Sequence, residues 1–227
     1  MPFLTPPSVV IRPPNVTEAL PAKALFDPSR PLEVDVGCGK GRFLLARAAA
    51  HPEVQFLGID RLLERIRKVD RKVQRAGLDN VKLLRLEAFY SVGFLLPLHR
   101  VRTFYIFFPD PWPKRRHHKR RLFGPAFLDA LWSRLEAGGT VQVATDHLDY
   151  FAEIRKRLRA DPRFREVPPL VRNAAEQTDF ELIFRGQGLP VGECAFEALP
   201  AVPGAAAPDQ PASPCQSMRT PVSSNRA

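Results

Sequence analysis

Short apolar runs alternate with amphipathic segments along the middle of the chain, and this alternation constrains the fold more than any other feature. Runs rich in Val, Leu, Ile and Phe predict strands, and apolar residues spaced three or four apart predict helices. The predicted strands are Leu32–Gly37, Val54–Asp60, Val81–Leu86, Val101–Phe108, Thr140–Thr145 and Glu193–Leu199. The predicted helices are Gly41–His51, Arg61–Ala76, Ala126–Leu135 and His147–Arg159. The pattern predicts an α/β fold, with a doubly wound, mostly parallel sheet and helices on both faces.

Both ends of the chain differ in composition from this middle part. Residues 1–31 are rich in proline and show no periodicity, so we expect an extended N-terminal arm. Residues 200–227 are rich in Pro, Ala and Ser and contain no aromatic residue. Such a tail cannot bury enough apolar surface to offset the entropy of ordering it, so we expect it to be disordered. The predicted domain spans residues 32–199.

Composition excludes several classes of protein. No apolar run approaches the roughly 20 residues that cross a bilayer, and the proline-rich start does not fit a secretory signal. We therefore expect a cytoplasmic protein with no membrane partner. The three cysteines, Cys38, Cys194 and Cys215, are widely spaced, which argues against a disulfide framework or a zinc site. The net charge of +10 suggests a polyanionic partner, and the oligomeric state stays open between monomer and homodimer.

A glycine-rich turn follows the first predicted strand and opens the first predicted helix. Gly37 and Gly39 let the backbone turn sharply and let a ligand approach the main chain, although tight turns also use glycine for structural reasons alone. Asp60 ends the next strand, at the place where an acidic residue binds ribose hydroxyls. Glu87 ends the third strand, where it could accept a hydrogen bond from an adenine amine or cap the next turn.

A carboxylate just before this turn separates two classes of cofactor. Dinucleotide enzymes usually carry G-x-G-x-x-G and hold a pyrophosphate, whereas this chain has G-x-G-x-G with Asp35 two residues upstream. Asp35 would repel a phosphate but attract a sulfonium or an α-amino group, by about 4 kcal/mol at a separation of about 4 Å before desolvation. The spacing favours S-adenosylmethionine as the cofactor, and an NAD-dependent oxidoreductase is the less favoured alternative.

Three prolines surround Asp110 and Trp112 directly after the fourth predicted strand. Ligands of open α/β sheets bind at the carboxyl ends of the strands, and proline restricts the backbone there. Asp110 could accept N–H donors from a nucleic-acid base while aromatic groups stack on that base. The alternative is a rigid loop with a tryptophan in the core.

A dense basic cluster follows this loop without interruption. Its members are Lys114, Arg115, Arg116, His117, His118, Lys119, Arg120 and Arg121. Crowded like charges repel one another, so RNA phosphates at the ligand-binding edge explain the cluster better than a solvated surface does. The adjacent histidines have no thiol and only one carboxylate nearby, so we expect no metal site.

A second cationic surface is predicted on the helix that follows Asp60. One stripe of this helix contains Arg61, Arg65, Lys68, Lys72 and Arg75, and a separate apolar stripe contains Leu62, Ile66, Val69 and Val73. The cationic stripe is either a solvated face or an extension of the RNA contact, and we predict the second.

Two polar segments complete the candidate site. Asp146, at the end of the fifth predicted strand, either caps the following helix or faces the pocket. Thr178, Asp179, Phe180 and Glu181 follow a polar loop and could meet the base or the amino-acid end of the cofactor.

Together these residues resemble the bacterial tRNA (guanine-N7)-methyltransferase family. The resemblance runs from about Leu32 to Leu199, and its most specific marker is FFPDPWPKRRHHKRRL at residues 107–122. D-V-G-C-G-K-G, G-I-D, T-D-H and T-D-F-E support it. It implies a class I Rossmann-like methyltransferase that uses S-adenosylmethionine, with tRNA as its partner and tRNA (guanine(46)-N7)-methyltransferase as its activity in the variable loop.

The resemblance also implies roles by position. Asp35, Asp60, Glu87 and Asp110 would bind the cofactor, and Asp110 would also be the active-site residue. The substrate contacts would be Lys114, Asp146, Thr178, Asp179, Phe180 and Glu181. This chain departs from the family at Asp179, where lysine is common, and it lacks the basic segment that often precedes the domain. Another RNA base or amino methyltransferase, and a non-catalytic RNA-binding relative, remain as alternatives.

Overall fold

The computed structural model describes residues 8–13, 15–16, 18–21, 23 and 26–200 of the chain. The strands in this part are β1 (Val10–Ile11), β2 (Leu32–Val36), β3 (Gln55–Ile59), β4 (Val81–Leu84), β5 (Val101–Phe107), β6 (Leu135–Thr145), β7 (Phe164–Val167) and β8 (Gly192–Ala198). They form one sheet in the order β1-β4-β3-β2-β5-β6-β8-β7. Neighbouring strands from β1 to β6 are parallel, and β8 runs antiparallel to β6 and β7. This confirms the predicted α/β class.

Two of the helices between the strands have an end residue well suited to its position. The helices are α1 (Arg42–Ala50), α2 (Leu63–Ala76), α3 (Ala88–Tyr90), α4 (Pro125–Arg134), α5 (Leu148–Ala160) and α6 (Asp179–Gly186), with a π-helical turn at Ser91–Leu95 and a 3₁₀ helix at Arg115–Arg120. Gly77 ends α2 in a left-handed conformation with φ of 64°, which glycine adopts without steric cost. Thr178 begins α6 by accepting a hydrogen bond from the backbone N–H of Glu181.

Two hydrophobic clusters cover the two faces of the sheet. Along β3, Phe56 belongs to one cluster while Leu57 and Ile59 belong to the other, because successive strand residues point to opposite faces. The first face is covered by α1 and α2 through Leu44, Ala48, Ile66, Val69 and Val73, and the second by α4 and α5 through Phe127, Leu131, Ile154 and Leu158. Burial of one such large side chain contributes about 1.5–3 kcal/mol, so these helices are held on both faces by hydrophobic packing.

The predicted strands and helices are all present, and most of their ends shift by one or two residues. The largest difference is in β6, which begins at Leu135 instead of Thr140 because Leu135 pairs with Val101 ahead of a bulge. The sequence pattern did not predict β1, β7, α3, α6, the π-helical turn or the 3₁₀ helix. The first has two residues, and β7 is a four-residue edge strand with two charged side chains, so neither has a long apolar pattern.

The described part of the N-terminal arm packs against the domain. Val10 and Ile11 pair with β4, and the side chains of Leu20 and Phe26 are buried in the core. The backbone N–H of Val9 donates to Asp70 on α2. Residues 201–227, for which we predict disorder, lie outside the described residues. No helix of the described residues is both long and apolar enough to cross a membrane.

Candidate active site

The candidate site lies where the order of strands along the sheet reverses. The chain runs from β2 outward through β3 to β4, and then returns to β5 on the other side of β2. Ligands bind at such a switch point, outside the carboxyl ends of the strands. A cavity of about 390 Å³ lies there, lined by residues that follow β2, β3, β4 and β5. Its volume is in the range of small-ligand pockets.

The glycine turn forms one wall of this cavity. Gly37 and Gly39 have left-handed φ angles of 85° and 55°. A Cβ added at Gly37 would meet no atom within 4 Å, so the backbone at this position borders open space. The backbone N–H groups of Gly37 and Cys38 donate to the Ile59 carbonyl at 2.8 and 2.9 Å, which fixes the turn against β3. A ligand can therefore approach the main chain closely at this wall.

Gly41 has a different, structural role in the same turn. A Cβ added there would lie 2.8 Å from side-chain atoms of both Leu45 and Val69. Its φ angle of 76° is also left-handed. This glycine lets α1 pack closely against α2. From the sequence alone, such a packing role could not be distinguished from a ligand-binding role.

Two buried carboxylates lie at the bottom of the cavity. The side chains of Asp35 and Asp60 are only 4% and 5% exposed. Burial, and then the nearby charge of Asp60, raises the pKa of Asp35 to about 7. Within the described part of the chain, no Lys or Arg forms an ion pair with Asp35. The cavity thus holds negative charge that a cationic ligand would compensate.

Asp60 already has three donors from its own surroundings. Its Oδ1 accepts from the Leu62 backbone N–H at 2.8 Å, and its Oδ2 accepts from the Gly39 backbone N–H at 3.2 Å. Arg65 pairs with the same Oδ2 at 3.3 Å and lines the cavity. Arg65 of the predicted cationic stripe therefore also contributes to this cavity. Leu62 is 43% exposed and does not belong to the predicted apolar stripe, because it lies just before α2 begins.

Glu87 takes one of the two roles that the sequence left open. Its carboxylate caps α3 by accepting from the backbone N–H groups of Phe89 and Tyr90 at 3.1 and 2.8 Å. The residue also lines the cavity. Its position is compatible with an adenine amine, but the observed contact is the cap.

The loop after β5 is held in a strained conformation. Phe108 and Trp112 have left-handed φ angles of 53° and 44°, which cost a non-glycine residue about 1–2 kcal/mol each. The Phe108 N–H donates to the Ala144 carbonyl at 2.7 Å, which ties the start of the loop to β6. Such strain persists where the surrounding contacts impose it, and it is common at functional sites.

Asp110 lies between these two strained residues. It lines the cavity, and it forms no hydrogen bond or ion pair with the described residues. Its carboxylate is exposed and available to an incoming ligand. We count this as the structural reason to keep Asp110 as the candidate for orienting a substrate.

Arg121 anchors the loop instead of facing solvent. Its Nε donates to the Pro111 carbonyl at 2.8 Å, its guanidinium pairs with Glu153, and it lies 4.7 Å from the ring centre of Tyr150. Its side chain is only 6% exposed. These contacts disfavour the predicted contact of Arg121 with RNA, because its donors are already used within the fold.

The rest of the basic cluster lies at the surface beside the cavity. Lys114, Arg115, Arg116, Lys119 and Arg120 are exposed, and His117 and His118 are half-buried. Of this cluster, Arg120 lines the cavity and places its guanidinium 4.9 Å from the ring centre of Trp112. His117 contacts the edge of the same ring. The described residues contain no group of His, Cys, Asp and Glu side chains suited to a metal ion.

Helix α6 forms the remaining wall. Thr178, Asp179 and Phe180 line the cavity as predicted. Phe180 and Phe184 pack on Phe108, with ring centres 6.0 and 5.7 Å away. The wall therefore connects the loop after β5 with a helix near the end of the domain.

Glu181 and Asp146 do not take the expected places. Glu181 is 1% exposed, does not line the cavity, and pairs with Arg172 at 2.6 Å and Arg185 at 2.9 Å. It fixes α6 instead of contacting a substrate. Asp146 does not line the cavity either, and the residue that caps α5 is His147, whose Nδ1 accepts from the Tyr150 N–H. Lys114 also lies outside the cavity lining.

Sequence reasoning missed two residues that shape this wall. Ile183 on α6 lines the cavity and is 51% exposed. Arg172 lies 4.4 Å from the ring centre of Phe107 and joins β5 to α6 through its pair with Glu181. A signal for α6 was available, since T-x-x-E at residues 178–181 is the pattern of a helix capping box.

Comparison with known proteins identifies the family of the chain. The family model that matches the chain is described as "Putative methyltransferase" and covers residues 29–189. The tRNA (guanine-N(7)-)-methyltransferase of Nitrosococcus oceani is 34% identical over 182 residues, which cover 80% of this chain and 77% of that protein. The protein of the same name from Halorhodospira halophila is 43% identical over 140 residues, which cover 62% of this chain and 61% of that protein.

A solved structure supports the fold alone. The crystal structure of the 16S rRNA methyltransferase KamB gives a TM-score of 0.60 at 17% identity, covering 81% of this chain and 95% of that one.

For four relatives that are 35–43% identical, the chain spans only 54–65% of their length. The match of the family model and the coverage of the Nitrosococcus protein together establish the family. The chain belongs to the methyltransferase family that contains these tRNA (guanine-N(7)-)-methyltransferases.

Proposed function

We propose that this chain transfers a methyl group from S-adenosylmethionine to N7 of a guanine in tRNA. The observation that carries the proposal is the pair of buried carboxylates, Asp35 and Asp60, in a cavity bordered by the Asp110 loop and the basic cluster. The names of the relatives support the same reaction. The proposal implies a cytoplasmic enzyme, since its substrate is tRNA.

The cavity fits S-adenosylmethionine better than a dinucleotide. When bound, this cofactor supplies an electrophilic methyl group on a positively charged sulfur. Asp35 would attract the cationic end of the ligand, and that cation would in turn lower the raised pKa of Asp35. The exposed backbone at Gly37 gives the ligand close approach, and Asp60 lies where ribose hydroxyls bind. A pyrophosphate at the same place would disfavour ionisation of Asp35, which has no ion pair with any described residue, whereas a cationic ligand would favour it.

Asp110 would orient the guanine. Guanine N7 carries an in-plane lone pair and no proton, so the acceptor needs no general base. The free carboxylate of Asp110 can accept hydrogen bonds from the N1 and N2 hydrogens of the ring. It would also offset the positive charge that develops on the ring during methylation. Alignment of this kind contributes up to about 7–11 kcal/mol in favourable cases.

The position of N7 in RNA explains why the substrate should be folded tRNA. The major groove of an A-form helix is deep and narrow, so N7 is hidden in regular duplex RNA. An enzyme for N7 therefore needs a loop or an irregular site. We propose the variable loop of tRNA as that site, with the exposed cations of the basic cluster holding its phosphates.

Transfer of labelled methyl groups tests this proposal. We expect the purified chain to move label from S-adenosylmethionine to tRNA isolated from cells that lack the modification, and not to duplex RNA of the same length. S-adenosylhomocysteine should bind and inhibit, whereas NAD should not compete. Absence of transfer to any tRNA, with the cofactor bound, would leave the non-catalytic RNA-binding alternative.

A further inference from the structure

A second concavity lies beside the candidate active site, along α2, and we call it the α2 groove. It encloses about 550 Å³. Its lining includes six cations, which are Lys40, Arg65, Lys68, Arg71, Lys72 and Arg75. Glu64 is the single carboxylate in this lining, so its net charge is +5. Such a concentration of one sign focuses a strong positive potential on the groove.

The cations of the groove differ in whether their charged groups have partners within the fold. Arg65 pairs with Asp60, and the Lys72 ammonium donates to the Lys40 carbonyl at 2.7 Å. Lys68, Arg71 and Arg75 are exposed and form no ion pair with any residue in the described ranges. Their spacing of three and four residues puts them on one face of α2. The structure thus adds Arg71 to the stripe predicted from the sequence and leaves these three side chains available to a ligand.

The groove is continuous with the active-site cavity. Lys40 and Arg65 line both concavities. The groove lies on the side of β2 where β3 and α2 are found, whereas the Asp110 loop and the basic cluster follow β5 on the other side. The cavity therefore lies between two cationic surfaces.

We propose that the α2 groove binds the phosphate backbone of the same RNA whose guanine enters the cavity, so that the RNA crosses the cavity mouth from the basic cluster to the groove. This inference rests on the proposed function. An anionic membrane fits less well, because a helix that binds lipid presents an apolar face to it. The apolar residues Ile66, Val69 and Val73 of α2 are fully buried in the core.

A triple variant tests the groove without touching the cavity. Lys68→Gln, Arg71→Gln and Arg75→Gln remove three free cations but leave Asp60 and Arg65 in place. The control removes the same formal charge at the opposite edge of the sheet, through Lys156→Gln, Arg159→Gln and Arg165→Gln on α5 and β7, where Arg159 pairs with Glu166 and Arg165 with Glu197. Binding of unmodified tRNA is measured by fluorescence anisotropy over a range of salt concentrations, and binding of S-adenosylhomocysteine by calorimetry.

We expect the groove variant to bind tRNA roughly tenfold more weakly and to reduce the slope of log K against log salt by about two, as the loss of about three phosphate contacts predicts. Its affinity for S-adenosylhomocysteine should stay within about twofold of the parent, which shows an intact fold. An unchanged affinity and slope, or an equal loss in the control, would overturn the proposal. The proposal would also be overturned if the groove variant lost binding to phosphatidylserine vesicles while its binding to tRNA was unchanged.

A failure of the proposed function can be distinguished from a failure of the groove proposal. A parent chain that binds tRNA but transfers no methyl group contradicts the proposed reaction. The comparison of affinities and salt slopes still decides whether the groove binds RNA.

Discussion

Asp35 and Asp60 lie at the carboxyl ends of two neighbouring parallel strands, and the charge of one raises the pKa of the other. In the register of β2 and β3, Asp35 is paired with Gly58, two residues before Asp60. Both side chains are buried, and burial together with Asp60 raises the pKa of Asp35 to about 7. Without ligand, ionisation of Asp35 is costly, because its charge is removed from water and pairs with no cation among the described residues, whereas Asp60 pairs with Arg65. A positively charged ligand would reverse that cost.

Replacement of Asp35 by Asn should therefore separate ligand binding from stability. We expect Asp35→Asn to weaken S-adenosylmethionine binding by about a hundredfold, or about 2.7 kcal/mol, because the attraction to the cation is lost. The free energy of unfolding at pH 8 should not fall, since the amide carries no buried charge. Calorimetry and chemical unfolding measure the two effects. Asp149→Asn, at an exposed position of α5, is the control, and equal affinities in both variants would contradict a role for Asp35.

The raised pKa of Asp35 should also make the free energy of unfolding of the unliganded protein depend on pH. The pKa of Asp35 is about 7 in the fold, above the ordinary aspartate value of 3.8. Between these values the folded chain keeps a proton that the unfolded chain has lost. The contribution of Asp35 to the free energy of unfolding is thus fully present below pH 3.8 and is lost as the pH rises through about 7. The slope from this group is at most about 1.4 kcal/mol per pH unit.

Cofactor affinity should change with pH in the opposite sense. A cation binds the carboxylate form of Asp35, so affinity for S-adenosylmethionine should rise between pH 6 and pH 8, and binding should release a proton. Calorimetry in buffers of different ionisation enthalpy measures that proton. The Asp35→Asn variant should bind weakly and without this pH dependence. A parent chain whose affinity is flat over the same range would show that Asp35 is already ionised or does not face the ligand.

Asp110 should act on turnover more than on folding. We expect Asp110→Ala to lower kcat/KM for tRNA by roughly 10²–10³-fold, the usual cost of removing one group that stabilises developing charge. Thermal unfolding should be unchanged, because the Asp110 carboxylate is exposed and bonded to none of the described residues. The affinity for S-adenosylhomocysteine distinguishes the two roles implied for Asp110, because a role in cofactor binding would weaken it and a role in orienting the guanine would not. Turnover within threefold of the parent would remove Asp110 from the mechanism.

Arg121 should act on turnover through the loop that it holds. Arg121→Met removes the hydrogen bond to the Pro111 carbonyl and the pair with Glu153, and we expect a loss of about 1–3 kcal/mol in stability. The larger effect should be on kcat, because Asp110 precedes the freed carbonyl by one residue. Arg121→Lys should restore part of kcat.

A matched variant distinguishes this anchor from an RNA contact. Arg116→Met removes one exposed cation from the same cluster and should weaken tRNA binding without lowering kcat at saturating tRNA. If Arg121→Met instead behaves like Arg116→Met, with a weaker Kd and a normal kcat, Arg121 does contact RNA and the anchoring role is wrong.

The acidic residues at strand ends could be predicted because the sheet itself brings them together. The carboxyl ends of parallel strands meet at one edge, so a correct order of strands places Asp35, Asp60, Glu87 and Asp110 around one cavity. In the sequence, Asp60, Glu87 and Asp110 lie at or just after the ends of predicted strands, and Asp35 lies near the end of one. No knowledge of distant contacts is needed to group them.

The partners of the basic residues could not be predicted in the same way. Arg121 pairs with Glu153, and Arg172 pairs with Glu193, across gaps of 32 and 21 residues. Periodicity shows which face of a helix a residue occupies, but not which side chain lies opposite in the fold. The sequence therefore does not distinguish a charged residue that binds RNA from one that forms an ion pair within the fold. The ion pairs of Arg65 with Asp60, and of Glu181 with Arg172 and Arg185, could not be predicted for this reason.

Identification of the methylated nucleoside is the most direct test of the central claim that this cavity delivers a methyl group to guanine N7. Unmodified tRNA would be incubated with the chain and labelled S-adenosylmethionine, digested to nucleosides and separated, with cleavage mapping of the modified position. We expect the label in 7-methylguanosine alone, at one position in the variable loop, and absent with Asp110→Ala. Label on an exocyclic amine, or on any other base, would contradict the account.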